Sequence, residues 1–273
     1  MAEHDRFNDL SPQARDFYCR TMRILAEAGV PFLVGGAYAY GYYTGIVRNT
    51  KDFDLFLSAE GYARSLDELA AAGSQVERCF PHWLGKACQG EDVVDLIFSS
   101  GNGLTPVDDL WFQHAPEGKV LGMAVRLCPV EEMIWSKSFI MERERFDGAD
   151  VAHLLHCCAE RLDWARLVAR FGSHWRVLLS HLILFGYIYP SDADRIPRHV
   201  SEELLARLAS EIRNPEPADP ICRGTVLSRA QYLFDLEASG YSDARLPPDG
   251  NMSEKEVELW TAAIADDGPD AKR

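Results

Sequence analysis

Two aspartates spaced one residue apart, Asp52 and Asp54, are the first feature of this chain that could do chemistry. They lie in the apolar-rich run "DFDLFL". In a strand the side chains alternate, so both carboxylates project to one face and Phe53 and Leu55 to the other. Two neighbouring carboxylates repel unless a cation sits between them, and an oxygen-only donor pair suits Mg²⁺ or Mn²⁺. The plainer alternative is an exposed strand end with two solvated carboxylates.

Asp95 is a third candidate metal ligand. It sits in "EDVVDLIF", between Val93, Val94, Leu96 and Ile97. A carboxylate in such a strand is costly to bury without a partner, and a metal-facing role accounts for it better than a structural one. Upstream, an apolar stretch over 30–34 runs into Gly35-Gly36. A strand-to-helix turn with two glycines lets backbone N–H groups approach an anion at a helix start. Arg48 and Thr50 stand just before the aspartate pair; Arg48 suits either a phosphate or Asp52 and Asp54 themselves. Tyr38 and Tyr40 read as helix packing rather than as base-stacking rings.

Other chemistries find less support. The lysine of a phosphate-binding P-loop and the Gly-x-Gly-x-x-Gly dinucleotide fingerprint are both missing, as is the Gly-x-Ser-x-Gly elbow of serine hydrolases. His153 and His156 with Cys157 and Cys158 have the spacing of a zinc half-site. No second pair stands at a matching spacing, so they read as core groups, as do His174 and His181. The seven cysteines contain no Cys-x-x-Cys pair, which fits reduced thiols in a cytoplasmic protein. A sugar-nucleotide glycosyltransferase also uses Asp-x-Asp, but usually after a longer α/β region than the roughly fifty residues available here.

The elements that must hold these residues follow from periodicity. Helices are expected over 11–28, 37–43 and 59–72, and strands over 30–34, 52–57, 75–80, 82–88 and 93–98. One or two short strands are expected around Gly122. From residue 130 onward the pattern is helical, with helices over 130–143, 147–159, 163–170, 174–189, 201–212, 225–238 and 253–264 and no convincing strand. The predicted architecture is α+β: a mixed sheet with helices over 1–129, then an all-helical domain over 130–273. Residues 1–9 are polar, without the apolar core of a secretory signal, and 266–273 read as a frayed polar tail. No stretch is long and apolar enough for a bilayer span.

Hydrophobic residues make up 47% and charged residues 26% of the chain, an ordinary globular balance. The 42 acidic residues against 28 Lys and Arg give a net charge of -14. That balance disfavours nucleic acid and anionic membrane as default partners and favours a small or cationic molecule.

Taken together, "LVGGAYAYGYYTGIVRNTKDFDLFL" and "EDVVDLIF" resemble the nucleotidyltransferase superfamily with the DNA polymerase beta-like fold. The family pattern is a strand, a Gly-Gly or Gly-Ser turn opening a helix, an Asp-x-Asp strand and a third acidic residue on a later strand. The form met here looks most like small bacterial members, the antibiotic nucleotidyltransferases and the toxins of abortive-infection systems. "EEMIWSKSFIMERERFDGAD" is similar to a second block of that group, with Lys137 on a helix and Asp147 and Asp150 at the next helix start.

The resemblance implies transfer of a nucleoside monophosphate from a nucleoside triphosphate to an acceptor hydroxyl, with pyrophosphate leaving. It assigns Asp52, Asp54 and Asp95 to the metal and the catalysis. Gly35, Gly36, Arg48, Thr50 and Lys137 fall to the nucleotide. It implies Mg²⁺ or Mn²⁺, two ions about 3.5–4 Å apart in the usual two-metal form. The acceptor is a small molecule by preference, with transfer RNA or a protein as the alternative, and a partner antitoxin belongs to the toxin-like branch. A non-catalytic nucleotide-binding module is the competing reading, since Gly36 stands where many members have serine. An RNA acceptor predicts a basic groove from Arg143, Arg145, Arg161, Arg166, Arg170 and Arg176.

Overall fold

A computed structural model describes residues 10–50, 52–215 and 219–263. The expectations for 1–9 and 266–273 lie outside the described residues. The chain divides into two compact units, Met1–Pro129 and Val130–Arg273.

The first unit begins with α1 (Pro12–Glu27), capped by the Ser11 hydroxyl, which accepts from the Ala14 N–H, with Pro12 in the first turn. The helix closes through the Ala28, Gly29 and Val30 N–H groups, which return to carbonyls of its last turn, with Gly29 left-handed at φ +64°. This closure, and the missing N–H of Pro31, explain why the expected strand over 30–34 shortens to β1 (Leu33–Val34). Then come α2 (Gly36–Thr44), β2 (Asp52–Phe56), α3 (Ala59–Ala71), β3 (Gln75–Phe80), β4 (Leu84–Gln89) and β5 (Asp92–Ile97). A short helix absent from the expectations, α4 (Asp109–Gln113), and the hairpin of β6 (Glu117–Val120) and β7 (Met123–Arg126) complete the unit.

Five strands form one mixed sheet in the order β1-β2-β5-β4-β3. Only β2 and β5 run parallel; the other pairings are antiparallel. One face carries Phe53, Leu55, Ala87, Val94 and Leu96, all buried. The ring of Tyr18 from α1 stacks on Phe53 at 4.9 Å, that of Tyr38 from α2 meets it edge-on at 4.9 Å, and Tyr62 from α3 packs on Phe98 at 4.3 Å. Burial of this face by amphipathic helices is the unit's main stabilisation. The alternation that sends these residues inward sends Asp52, Asp54 and Asp95 to the opposite face.

The second unit is built on α5 (Val130–Ser138), α6 (Gly148–Cys158), α7 (Trp164–Phe171), α8 (Trp175–Ile188) and α9 (Arg198–Arg213). After α9 come β8 (Ile221–Cys222), α10 (Leu233–Ala238), β9 (Ser242–Asp243) and α11 (Glu254–Ala262). Three expectations are corrected here. The helix expected over 130–143 stops at Ser138, because its continuation finds better partners. The Ser138 carbonyl accepts from His181 Nε2 (3.0 Å), and Met141 donates to Leu227. Glu142 accepts from the Arg229 N–H and the Ser228 hydroxyl. The helix expected over 225–238 is reduced to α10, since Ser228 offers its hydroxyl to the N–H groups of Ala230 and Gln231 and displaces helical bonding there. The unit is also not strictly all-helical, because β8 and β9 pair in parallel over two residues each. Among the described residues no helix is long and apolar enough to cross a membrane.

Candidate active site

The carboxylates of the sequence motif meet on the sheet face left free by α1 and α3. Asp54 on β2 and Asp95 on β5 are direct register partners across the parallel pair, and Asp52 pairs with Val93. Neighbouring strands lie about 4.8 Å apart, so Asp54 and Asp95 stand side by side, with Asp52 two residues along the same face. The register that fixes this is set by the opposite, buried face, where a slip of one residue would turn Phe53 and Leu55 outward.

The Gly-Gly turn is packed directly against Asp54. The Gly35 N–H donates to the Asp54 carbonyl at 3.0 Å. Gly36 opens α2 at φ +51°, and a Cβ there would lie 1.6 Å from Asp54 Oδ2. Only glycine fits so close an approach in that conformation. This is the physical reason for a glycine at the start of α2. It also places a carboxylate at the positive end of a helix. A Cβ at Gly35 would meet Phe56 Cε2 at 2.3 Å, and Phe56 is itself stacked on Trp111 of α4.

Thr50 is the orienting group for Asp52: its hydroxyl donates to Asp52 Oδ1 and lies 3.2 Å from the Asp52 carbonyl. Arg48 lies over the Tyr40 ring, 4.6 Å from its centroid, and donates to Tyr40 Oη at 3.3 Å.

Asp95 differs from the other two. Its side chain is 13% exposed, and Oδ1 is buried without a hydrogen bond. Lys86 on β4 is its register partner on the other side, with Nζ 3.6 Å from Oδ1. Burial pushes the Asp95 carboxyl up to about 6; Lys86 opposes the rise and Asp52 adds to it. Burial works against the charge on Lys86, but Asp95 together with Cys79 and Asp52 outweighs it and holds the ammonium above its ordinary range.

Lys86 is the site residue that sequence reasoning missed. A signal for it existed. Gly90-Glu91 is a two-residue connection, with Gly90 at φ +62°, and it pairs Gln89 with Asp92. Counting three residues along each strand from the Gln89–Asp92 pair brings Lys86 opposite Asp95.

Among the described residues no three His, Cys, Asp or Glu side chains are drawn together as a ready-made metal cage. The reason is visible in the contacts: Asp52 turns to Thr50, Asp54 lies on Gly36, and Asp95 stands by Lys86. The donor set nevertheless fits a hard divalent cation. It offers carboxylate oxygens on one face, one of them buried and without a hydrogen bond.

Lys137 belongs to the second unit. Its Nζ bonds Asp147 Oδ2 and Asp150 Oδ2, both at 2.9 Å, and Arg145 holds Asp147 through two further bonds at 2.9 and 3.0 Å. The arginines offered as a basic groove are engaged in a similar way. Arg166 and Arg170 are bound to the buried Glu131 and Glu132. Arg176 pairs with Glu211, and Arg143 stands by Glu144. Arg166 and Arg170 are thus held in buried ion pairs, whereas Arg143 and Glu144 are both exposed.

The zinc half-site is dissolved too. His156 Nδ1 lies 2.8 Å from Asp192, and Cys158 is buried, its Sγ accepting from Arg161. None of the seven cysteines is in a disulfide.

No family model matches the chain, and no curated protein matches it. Among solved structures it is similar to the solution structure of the antibiotic-resistance factor ANT(2'')-Ia. The identity is 18%, over 63% of this chain and 98% of that one, with a TM-score of 0.44. It is similar to the lincomycin-bound lincosamide antibiotic adenylyltransferase LnuA at 13% identity, covering 53% and 96% of the two chains, with a TM-score of 0.38. JHP933 from Helicobacter pylori is a further neighbour, at 14% identity, 76% and 100% coverage and a TM-score of 0.36. These are remote likenesses, and the residues of this chain carry the functional reading.

Proposed function

We propose that this chain is a metal-dependent nucleotidyltransferase that moves a nucleoside monophosphate from a nucleoside triphosphate to an acceptor hydroxyl. The observation that carries the reading is the register of Asp54 against Asp95, with Asp52 on the same sheet face and a two-glycine helix start against Asp54. Asp52, Asp54 and Asp95 would hold Mg²⁺ or Mn²⁺, which neutralises the triphosphate and acidifies the acceptor hydroxyl.

The chain's own groups do the rest. Gly35 and Gly36 bring the start of α2 close to the carboxylates, where its N–H groups favour an anion. Thr50 holds Asp52 in orientation. Asp95, on the same sheet face as Asp54, is placed to accept the hydroxyl proton. The acceptor oxygen bonds to the α-phosphorus while the bond from that phosphorus to the bridging oxygen breaks, and pyrophosphate leaves.

Residues 1–129 form the catalytic domain in this reading, and 130–273 the domain for acceptor binding or capping. A net charge of -14 favours a small, cationic acceptor of the aminoglycoside kind. The engagement of Arg145, Arg166, Arg170 and Arg176 with carboxylates points the same way.

The test is label transfer from each of four α-phosphate-labelled nucleoside triphosphates, with Mg²⁺ or Mn²⁺, into separate pools of small molecules, transfer RNA and cell protein. Label in the small-molecule pool, lost in Asp54→Asn, is the expected result. Label in RNA or protein reassigns the acceptor. Nucleotide binding without transfer to any pool makes the chain a binding module.

A further inference from the structure

We propose that Lys86 is a placeholder cation: it holds the charge of Asp95 until a divalent ion arrives with the nucleotide, and then passes to a phosphate of that nucleotide. The inference rests on the metal-dependent reading above and deepens it, because it says how metal and nucleotide are made to enter together.

Three observations carry it. The first is position. Lys86, Asp95 and Asp54 occupy consecutive register positions across three adjacent strands, so the ammonium, one carboxylate and the next share one face in a row. The second is the looseness of the contact. At 3.6 Å, the contact of Lys86 Nζ with Asp95 Oδ1 is a long ion pair, and that buried oxygen has no closer partner. The same chain shows what a committed lysine looks like, since Lys137 bonds two carboxylates at 2.9 Å each. The third is access. The Lys86 side chain is 36% exposed, on a four-carbon stem that can swing, whereas Asp95 is 13% exposed and fixed within its strand.

The consequences follow from charge alone. A metal ion arriving by itself must displace an ammonium from Asp95 and leave it beside a new like charge. A metal ion arriving on a triphosphate brings anionic oxygens to which the ammonium can move. Free metal is thereby disfavoured, and the metal–nucleotide complex is favoured.

The experiment is a Mn²⁺ titration of the full chain, read by the free-ion paramagnetic resonance signal, without nucleotide and with a non-hydrolysable α,β-methylene ATP. For Lys86→Met we expect Mn²⁺ alone to bind about tenfold tighter than in the wild type, the scale of one partly desolvated charge contact. The Mn²⁺–nucleotide complex should bind about tenfold weaker. Lys86→Arg should stay near the wild type in both. If Lys86→Met binds free Mn²⁺ no tighter, while Asp54→Asn abolishes the binding seen with nucleotide, the placeholder role is wrong and the metal site stands. If the wild type binds no Mn²⁺ even with the nucleotide analogue, the underlying reading falls and takes the role of Lys86 with it. Should Lys86→Met lose its circular-dichroism spectrum, Lys86→Gln is read on the same two titrations.

Discussion

Each unit of this chain brings a lysine to a set of aspartates, and the two sets are built to opposite ends. In the second unit Lys137 and Arg145 answer Asp147 and Asp150 through four bonds of 2.9 to 3.0 Å. Burial alone would raise Asp147, yet the hydrogen bonds from Arg145 and the charge of Lys137 hold its carboxyl below the ordinary range. In the first unit Lys86 stands off from Asp95, and burial wins there, raising the carboxyl to about 6. The cluster of the second unit is closed and favours the fold. That of the first unit is open and costs the fold something, as a site kept for a ligand does.

The largest way to break this comparison is at Asp54. Asp54→Asn should lower label transfer by about 10³-fold, the scale of removing a charge that acts in the transition state, with little change in the melting curve. Equal activity would show that the open cluster is not the catalytic one. Next in size is Lys137→Met, which should destabilise the chain by about 3 kcal/mol at pH 7, because it leaves two buried carboxylates short of a cation. Asp147 is depressed, so its contribution is present above the unfolded value near 4 and lost as pH falls through the folded one. The penalty measured by urea unfolding should therefore shrink toward acid pH. A folded, stable Lys137→Met that has lost nucleotide binding would instead give Lys137 the phosphate role that the family resemblance implies.

The open cluster was the more legible of the two. Its same-face aspartates follow from period two, and Asp95 stands out as the one charge in an apolar strand. Neither reading names the neighbour across the strand, because register between strands is decided by the buried face and the turns rather than by the aspartates. Lys86 was within reach through the Gly90-Glu91 turn, but the strand expected over 82–88 begins and ends too early to count from. The closed cluster was legible only as nearby opposite charges. Its geometry depends on the chain reversing after Ser138, and that reversal is fixed by Glu142 reaching Ser228 and Arg229, some 86 positions away in sequence.

Asp95→Asn tests the cost of the open site. The Asp95 carboxyl is raised in the folded chain, from an ordinary value near 4 to about 6. The folded state then holds the proton more tightly than the unfolded one, so stability falls as pH rises through that window and stays lower above it. The neutral amide escapes this. Asp95→Asn should be more stable than the wild type by about 2 kcal/mol at pH 7 and no more stable at pH 3.5. Urea unfolding at the two pH values reads the difference, and transfer activity should be lost in the same variant. A variant less stable at pH 7 would mean that Lys86 already compensates Asp95 as fully as Lys137 does its partners, and the contrast between the clusters would disappear.

The smallest expected effect lies at Thr50, and it sharpens what holds the open site in shape. Its hydroxyl donates to the Asp52 carboxylate, where the closed cluster uses charged donors. Thr50→Val keeps the volume and removes the donor. Thr50 is only half-buried, so water can replace the bond, and the cost is about 1 kcal/mol or less, roughly a fivefold fall in transfer rate. The melting temperature should hardly move, and the loss should appear as weaker Mn²⁺ binding in the presence of nucleotide. An unchanged rate would mean that the metal itself orients Asp52. A rate lower by two orders of magnitude would mean that the hydroxyl meets the nucleotide directly, and Thr50 would then belong with the phosphate-binding groups rather than with the supports.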